Sequence, residues 1–354
     1  MTKVMRSRRQ PERKLRRVAA PGLVAALVAV LAFGLAACGK SEGGATPERE
    51  PFSLTLDFYP NPDHAGIYSG IANGAFEQAG LDLSVTTPTD PAAPIKQVAA
   101  GQTDLAISYE PEVLLAREKG LDVRAVAAIV DQPLSSMIWL RGSGIREVAD
   151  LRGKTVATAG IPYQDAYLDA ILRRADVPLD TVERVSVGLG LMPAILSGRA
   201  DALLGAFRNI EGVDLQRRGR EPTIRPVNEL GIPTYNELVL VTSASTLEEK
   251  SDQIRLFIAA LERGTEAAIA DPAAATAAIL AANEALEPGL TRAWIDATLP
   301  LLEPAPGQPY GYMDPGQWAQ FIAWMRDNRQ IGELPAPDEV LTNELLPTGT
   351  PPAE

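Results

Sequence analysis

The chain has 354 residues, with 33 Lys and Arg against 45 Asp and Glu, a formal net charge of −12, one cysteine and one histidine. A single cysteine excludes an intrachain disulfide framework and a Cys-ligated metal cluster. The acidic balance argues against nucleic acid as a partner.

The chain opens with eight basic side chains between Lys3 and Arg17, then an apolar run over 18–37 that ends at the lone cysteine, Cys38. That order predicts an export leader at 1–37. A transmembrane helix is the alternative, since about twenty apolar residues are long enough to span a bilayer. Without the leader the chain carries 25 Lys and Arg against 44 Asp and Glu. Residues 38–50, rich in Gly, Ser and Pro at their start, are expected to form a flexible tether.

Beyond the tether, about 290 residues up to position 337 exceed what one hydrophobic core usually serves, so two lobes are expected. Short apolar runs such as Leu105-Ala106-Ile107 and 123–130 alternate with helical patterns over the first 240 residues, which is α/β order. One pattern occurs twice. Val98-Ala99-Ala100-Gly101-Gln102-Thr103-Asp104 precedes an apolar run, and 97 residues later Ile195-Leu196-Ser197-Gly198-Arg199-Ala200-Asp201 does the same. Each reads as helix, glycine stop, aspartate and buried strand. After each strand a loop holds a glutamate, Tyr109-Glu110-Pro111 or Asn209-Ile210-Glu211-Gly212. Ligands in open α/β sheets bind at such strand ends.

From residue 245 the pattern is helical. A long helix runs over 247–270, Asp271-Pro272 starts another, and a third stretch lies near 291–302. Over 315–328, Trp318, Phe321, Ile322 and Met325 form one apolar stripe that is expected to be core. A Pro- and acid-rich remainder, 331–354, is expected to be a docked strap and a frayed tail.

Three groups of residues carry a resemblance. Leu35-Ala36-Ala37-Cys38 resembles a lipobox, which implies lipidation of Cys38, anchorage to the cell membrane and an extracytoplasmic location. The segment Leu56-Asp57-Phe58-Tyr59-Pro60-Asn61-Pro62-Asp63-His64-Ala65-Gly66-Ile67-Tyr68 is similar to the opening motif of thiamine-pyrimidine-precursor binding proteins, relatives of the pyrimidine synthases. The likeness continues through Gly74-Ala75-Phe76, Leu151-Arg152-Gly153-Lys154, Gly160-Ile161-Pro162 and Asn209-Ile210-Glu211-Gly212. It implies a type II periplasmic-binding-protein fold with a ligand cleft between two lobes. The first lobe is expected at 51–141 and 238–330 and the second at 142–237, with crossings near 142 and 238.

The resemblance places Asp57, Tyr59, Asn61 and His64 at the cleft, with Tyr59 stacking on a ligand ring and Glu211 reading the edge of an aminopyrimidine. Tyr109 and Glu110 hold the matching first-lobe loop. Gly160 and Tyr163 begin a second-lobe helix whose free N–H groups suit a phosphate or carbonyl. Asn209 lies beside Glu211, and Tyr235 lies where the chain returns to the first lobe. Each has a plainer reading: Pro60-Asn61-Pro62-Asp63 is also a turn in which Asp63 caps a helix, Glu211 and Glu110 suit a helix start, and Gly160 suits a strand-to-helix turn. Phe58 replaces the family's usual tryptophan, and Arg208 and Ile210 replace aromatics beside Asn209, which leaves riboflavin or another ring compound open as the ligand.

The pyrimidine synthases use a histidine, a lysine with pyridoxal phosphate and a cysteine-rich iron site, whereas this chain has His64 alone and no cysteine after Cys38. No hydrolase elbow, Walker loop or His-Glu-x-x-His motif offers another reaction. The expectation is a monomeric, non-enzymatic binder without cofactor or metal that works with an ABC permease and ATPase. A purely structural surface lipoprotein would not need polar loops at the strand ends of both lobes.

Overall fold

The computed structural model describes residues 49–333 and 335–347. The leader, Cys38, the tether through residue 48 and the tail from 348 lie outside the described residues. In chain order the first half-domain comprises β1 (Glu50–Thr55), α1 (Ala65–Ala72), α2 (Ala75–Gln78), β2 (Leu81–Thr86), α3 (Pro94–Ala99), β3 (Leu105–Ser108), α4 (Glu110–Glu118) and β4 (Val123–Val130). The second comprises β5 (Ser135–Leu140), β6 (Thr155–Thr158), α5 (Pro162–Arg174), β7 (Glu183–Ser186), α6 (Leu191–Leu196), β8 (Ala202–Phe207), α7 (Glu211–Arg217) and β9 (Pro222–Pro226). The chain then returns through β10 (Leu238–Ser243) to the helices α8 (Ala244–Glu249), α9 (Ser251–Ala270), α10 (Pro272–Ala282), α11 (Pro288–Thr298), α12 (Pro315–Asp327) and α13 (Pro337–Val340).

Two five-stranded sheets result, ordered β2-β1-β3-β10-β4 and β7-β6-β8-β5-β9. Each has three parallel strands and an antiparallel neighbour of the central one, β10 beside β3 and β5 beside β8. The central strands are buried on both faces, so β3, β8 and β10 are mainly apolar, with polar residues only at the ends of β3 and β10.

The internal repeat explains this correspondence. Gly101 and Gly198 both adopt left-handed φ values, +67° and +73°, where a side chain would be strained. Asp104 accepts the Ser53 N–H of β1 at 2.8 Å, and Asp201 accepts the Thr155 N–H of β6 at 2.9 Å. A lysine faces each aspartate, Lys250 at 2.6 Å and Lys154 at 3.6 Å. The same residues therefore tie the same two strands together in each sheet.

The first crossing comes earlier than residue 142. β5 pairs with β8 and β9 of the second sheet, so the chain changes lobes within 131–134. Gly142 and Gly144, with φ of +92° and +81°, form the turn after β5 and not a linker between lobes.

The late helices pack where the apolar periodicity predicts. Asp271 caps α10 by accepting the N–H groups of Ala273 and Ala274, and Trp318, Phe321, Ile322 and Met325 are the buried face of α12. α9 crosses α1 so closely that a Cβ on Gly264 would lie 2.1 Å from the Gly66 carbonyl oxygen. This contact seats α1, and with it the polar loop that precedes it, against the helical layer. α11 also packs on α7 of the second lobe. The strap docks through buried Val340, Leu341, Leu345 and Leu346, with Thr342 N–H donating to Ala125.

Candidate functional site

A partly open cleft lies between the sheets, with about 420 Å³ of space not filled by protein atoms, some of it open solvent. From the first lobe it is lined by Asp57, Phe58, Asn61, Asp63 and Tyr109. Second-lobe groups facing them include Tyr163, Gln164, Phe207 and Glu211. These residues follow the ends of β1, β3, β6 and β8, the place where open α/β sheets bind ligands. Among the described residues no Lys or Arg lines the cleft, whereas three carboxyl groups do.

The first-lobe loop is built outward from Asp57. One carboxylate oxygen pairs with His64 Nε2 at 2.8 Å and the other accepts from the Tyr109 hydroxyl at 2.8 Å. His64 Nδ1 accepts the Asn61 backbone N–H, so the ring hydrogen sits on Nε2 and points at Asp57. His64 is fully buried and supports Asp57 from behind without lining the cleft.

Asn61, not Asp63, is the cap of this turn. Its Oδ1 accepts the Asp63 N–H at 2.9 Å and its Nδ2 donates to the Tyr59 carbonyl. Asp63 is thereby free to cross the cleft, where Asn209 Nδ2 donates to its Oδ1 at 2.7 Å and to Thr298 Oγ1 at 2.8 Å. Asp63 Oδ2 is buried without a hydrogen-bond partner among the described residues. Burial, opposed by the Asn209 bond and reinforced by nearby carboxylates, pushes Asp63 up to about 8.

Glu211 opens α7 and folds back to accept the Phe207 N–H at 2.8 Å. Burial raises its pKa to about 7. Glu110, its counterpart in the repeat, does not line the cleft. Its carboxylate accepts the Asn236 N–H at 2.7 Å in the crossing just before the returning strand, and burial raises its pKa well above the ordinary value. The repeat gives both glutamates the same place at a helix start, but the first faces the hinge.

Tyr59 is not in the cleft lining, where Phe58 is the aromatic neighbour; the two rings lie 4.7 Å apart. Tyr59 sits behind, with its hydroxyl kept protonated first by burial and then by Glu211 and Asp214. Gly160 holds φ +80°, and a Cβ there would lie 2.2 Å from Ser186 Oγ; its neighbours Ala159 and Ile161 line the cleft in its place. The helix start offered to a phosphate or carbonyl already holds a carboxylate, because Tyr163 N–H donates to Glu112 Oε1 of the first lobe at 3.1 Å. Tyr235 belongs to the hinge: its ring is fully buried and its hydroxyl donates to Glu237.

Four functional residues lacked a local signal. Gln164 and Phe207 line the cleft, Glu112 bridges the lobes, and Glu237 collects donors from both crossings. Trp294 Nε1 adds another bridge by donating to the Ile210 carbonyl at 2.8 Å. Tyr109 and Tyr163, with ring centroids 5.3 Å apart and planes inclined at 47°, pack against each other across the cleft. Among the described residues no group of three or more His, Cys, Asp or Glu is placed to hold a metal, and no helix is long and apolar enough to cross a membrane.

Asp63, Glu211 and Glu112, the last also raised to about 7 by burial, give the ligand-free protein a pH signature. Each binds its proton more tightly folded than unfolded, so stability falls as pH rises between the ordinary carboxylate range and about 7–8. Each group contributes at most about 1.4 kcal/mol per pH unit in that window. Thermal melts from pH 5 to 8.5 are expected to show a falling Tm that levels off above pH 8. A Tm that rises over this interval would contradict the assignment.

Two lobes, each a five-stranded sheet of the same order, closing on a cleft at their strand ends define the type II periplasmic-binding-protein fold. The structure superposes on the alkanesulfonate-binding protein SsuA of Xanthomonas axonopodis pv. citri with a TM-score of 0.65 at 16% identity, covering 84% of this chain and 99% of that one. The sequence profile of the family described as NMT1/THI5 like matches residues 61–275. A formylaminopyrimidine-binding protein of Halalkalibacterium halodurans is 33% identical over 306 residues, 86% of this chain and 92% of that protein. The 4-amino-5-hydroxymethyl-2-methylpyrimidine phosphate synthase THI5 of Saccharomyces cerevisiae is 24% identical over 234 residues, 63% and 68% of the two chains. The chain belongs to the NMT1/THI5-like family.

Proposed function

We propose that the protein captures a thiamine pyrimidine precursor, formylaminopyrimidine or hydroxymethylpyrimidine, for an ABC importer, held outside the cell membrane by a lipid on Cys38. The observation that carries the ligand class is the charge of the cleft. Asp57, Asp63 and Glu211 line it with no lysine or arginine, so a phosphate or sulfonate would enter against three carboxyl groups with no cation to receive it. An aminated ring presents N–H donors to those carboxyls and an apolar face to Phe58 and Phe207. The 33% identity to a formylaminopyrimidine-binding protein supports the same ligand.

The role is binding without turnover. Among the described residues no lysine lines the cleft to hold pyridoxal phosphate by its amine, and the sole cysteine lies outside the described fold at position 38. The buried bridges between lobes hold the clamp closed, and the outer surface that closure brings together is what a permease would recognise.

The test is thermal melting of the full chain against formylaminopyrimidine, hydroxymethylpyrimidine, thiamine, riboflavin and pyridoxal phosphate. Ligand at a hundred times its Kd adds about 2.7 kcal/mol, and the pyrimidines are expected to raise Tm and to be recovered unchanged. A shift with riboflavin alone would reassign the ligand, and a product formed from the pyrimidine would end the binder reading.

A further inference from the structure

We propose that Asp63 is a second ligand contact and, through Asn209, the latch that couples ligand capture to lobe closure. This deepens the reading of the cleft as a pyrimidine-precursor site and rests on it.

One carboxyl group does both because its two oxygens have different neighbours. Oδ1 accepts Asn209 Nδ2 from the opposite lobe, while Oδ2 is buried without a partner among the described residues, on a side chain that lines the cleft. An unpartnered buried carboxyl oxygen costs stability until a donor reaches it. Within the cleft, a ligand N–H or O–H can supply that donor. The donor side of the latch is equally committed: Asn209 spends both amide hydrogens on the first lobe, one on Asp63 and one on Thr298 at the end of α11.

Opening the lobes frees both ends of that bond, exposing Asp63 to water and to an arriving ligand. Closing restores it, and with it the burial of Oδ2 against whatever the ligand presents. A hydrocarbon in that position leaves the oxygen unpaired; an amine or hydroxyl does not. The carboxyl thus makes closure more favourable with the right ligand than with an apolar one of equal size.

Two substitutions separate the functions, and the Tyr163 backbone amide, which donates across the cleft to Glu112, reports closure by hydrogen exchange. Asp63→Asn keeps an oxygen for Asn209 and turns an amide NH2 toward the ligand donor. It is expected to weaken formylaminopyrimidine binding about 10- to 100-fold while leaving Tyr163 exchange in the ligand-free chain unchanged. Asn209→Ala removes the latch and keeps the ligand face, so Tyr163 exchange is expected to speed up about tenfold and the ligand to dissociate faster. If Asn209→Ala does not fold, Thr298→Val is expected to move both readouts the same way by less.

Wild-type affinity retained by Asp63→Asn, or unchanged Tyr163 exchange in Asn209→Ala and Thr298→Val, would overturn the proposal while the pyrimidine reading stands. If the wild-type chain binds no pyrimidine, that reading falls and takes the ligand contact with it. Exchange at Tyr163 then decides the latch alone.

Discussion

Replacing Glu237 with alanine is expected to destabilise the protein by about 3–5 kcal/mol, a Tm loss of roughly 6–10 °C. The Glu237 carboxylate is fully buried at the point where both crossings between lobes meet. One oxygen accepts the N–H groups of Leu134 and Ser135, each at 2.7 Å, and the Tyr235 hydroxyl at 2.8 Å; the other accepts Ser135 Oγ at 2.8 Å. Burial pushes its pKa up and these four donors pull it back. Truncation leaves the donors facing an apolar void, and two of them are backbone groups that have no rotamer to turn elsewhere. Glu237→Gln retains one good acceptor and is expected to lose about half as much. Thermal and urea melts of both variants check this; a loss below about 1 kcal/mol for the alanine variant would mean that water replaces the carboxylate without cost.

The hinge is also where sequence reading failed, for a physical reason. The repeat around Gly101-Gln102-Thr103-Asp104 and Gly198-Arg199-Ala200-Asp201 is local, and each aspartate does the same work in its own sheet, so the two-lobed fold was legible from it. Glu110 and Tyr235 are settled by contacts that join distant segments, such as the Glu110–Asn236 bond across 126 positions. No periodicity encodes such a bond. Arg208, which stands where the family has an aromatic, reaches back to the Pro133 carbonyl and to Gln132 Oε1 in the first crossing. At the cleft, Tyr109 and Glu211 were legible as residues of loops after the repeated strands, and Asp57, Asn61 and Tyr163 through the family resemblance; all five line it, whereas choosing Asn61 over Asp63 as the cap required the backbone itself. The consequence was large, since the residue released from capping is the one that bridges the lobes.

Glu211→Gln is expected to weaken pyrimidine binding by about 1–3 kcal/mol, roughly 5- to 150-fold in Kd, with little change in the Tm of the ligand-free protein. Phe207 N–H occupies one carboxyl oxygen and leaves the other for the ligand. A glutamine that keeps the Phe207 bond must point its NH2 group into the cleft, so a donor meets the exocyclic amine of the ligand. Alanine removes that clash and also the acceptor, and it leaves the Phe207 N–H unpaired as well. The pH profile separates an electrostatic role from one of shape. With Glu211 poised near 7, the ionised form that accepts an amine is gained as pH rises through that value, so affinity for an uncharged aminopyrimidine should increase from pH 6 to 8. Asp63, at about 8, extends the rise. Over the same interval the ligand-free protein loses stability, because those same carboxyls then ionise while buried. Ligand therefore stabilises most where the empty clamp is weakest, and titration calorimetry across this range tests the point. A wild-type profile that is flat between pH 6 and 8, or one that Glu211→Gln leaves unaltered, would show that Glu211 fills space beside the ligand without sensing its protons.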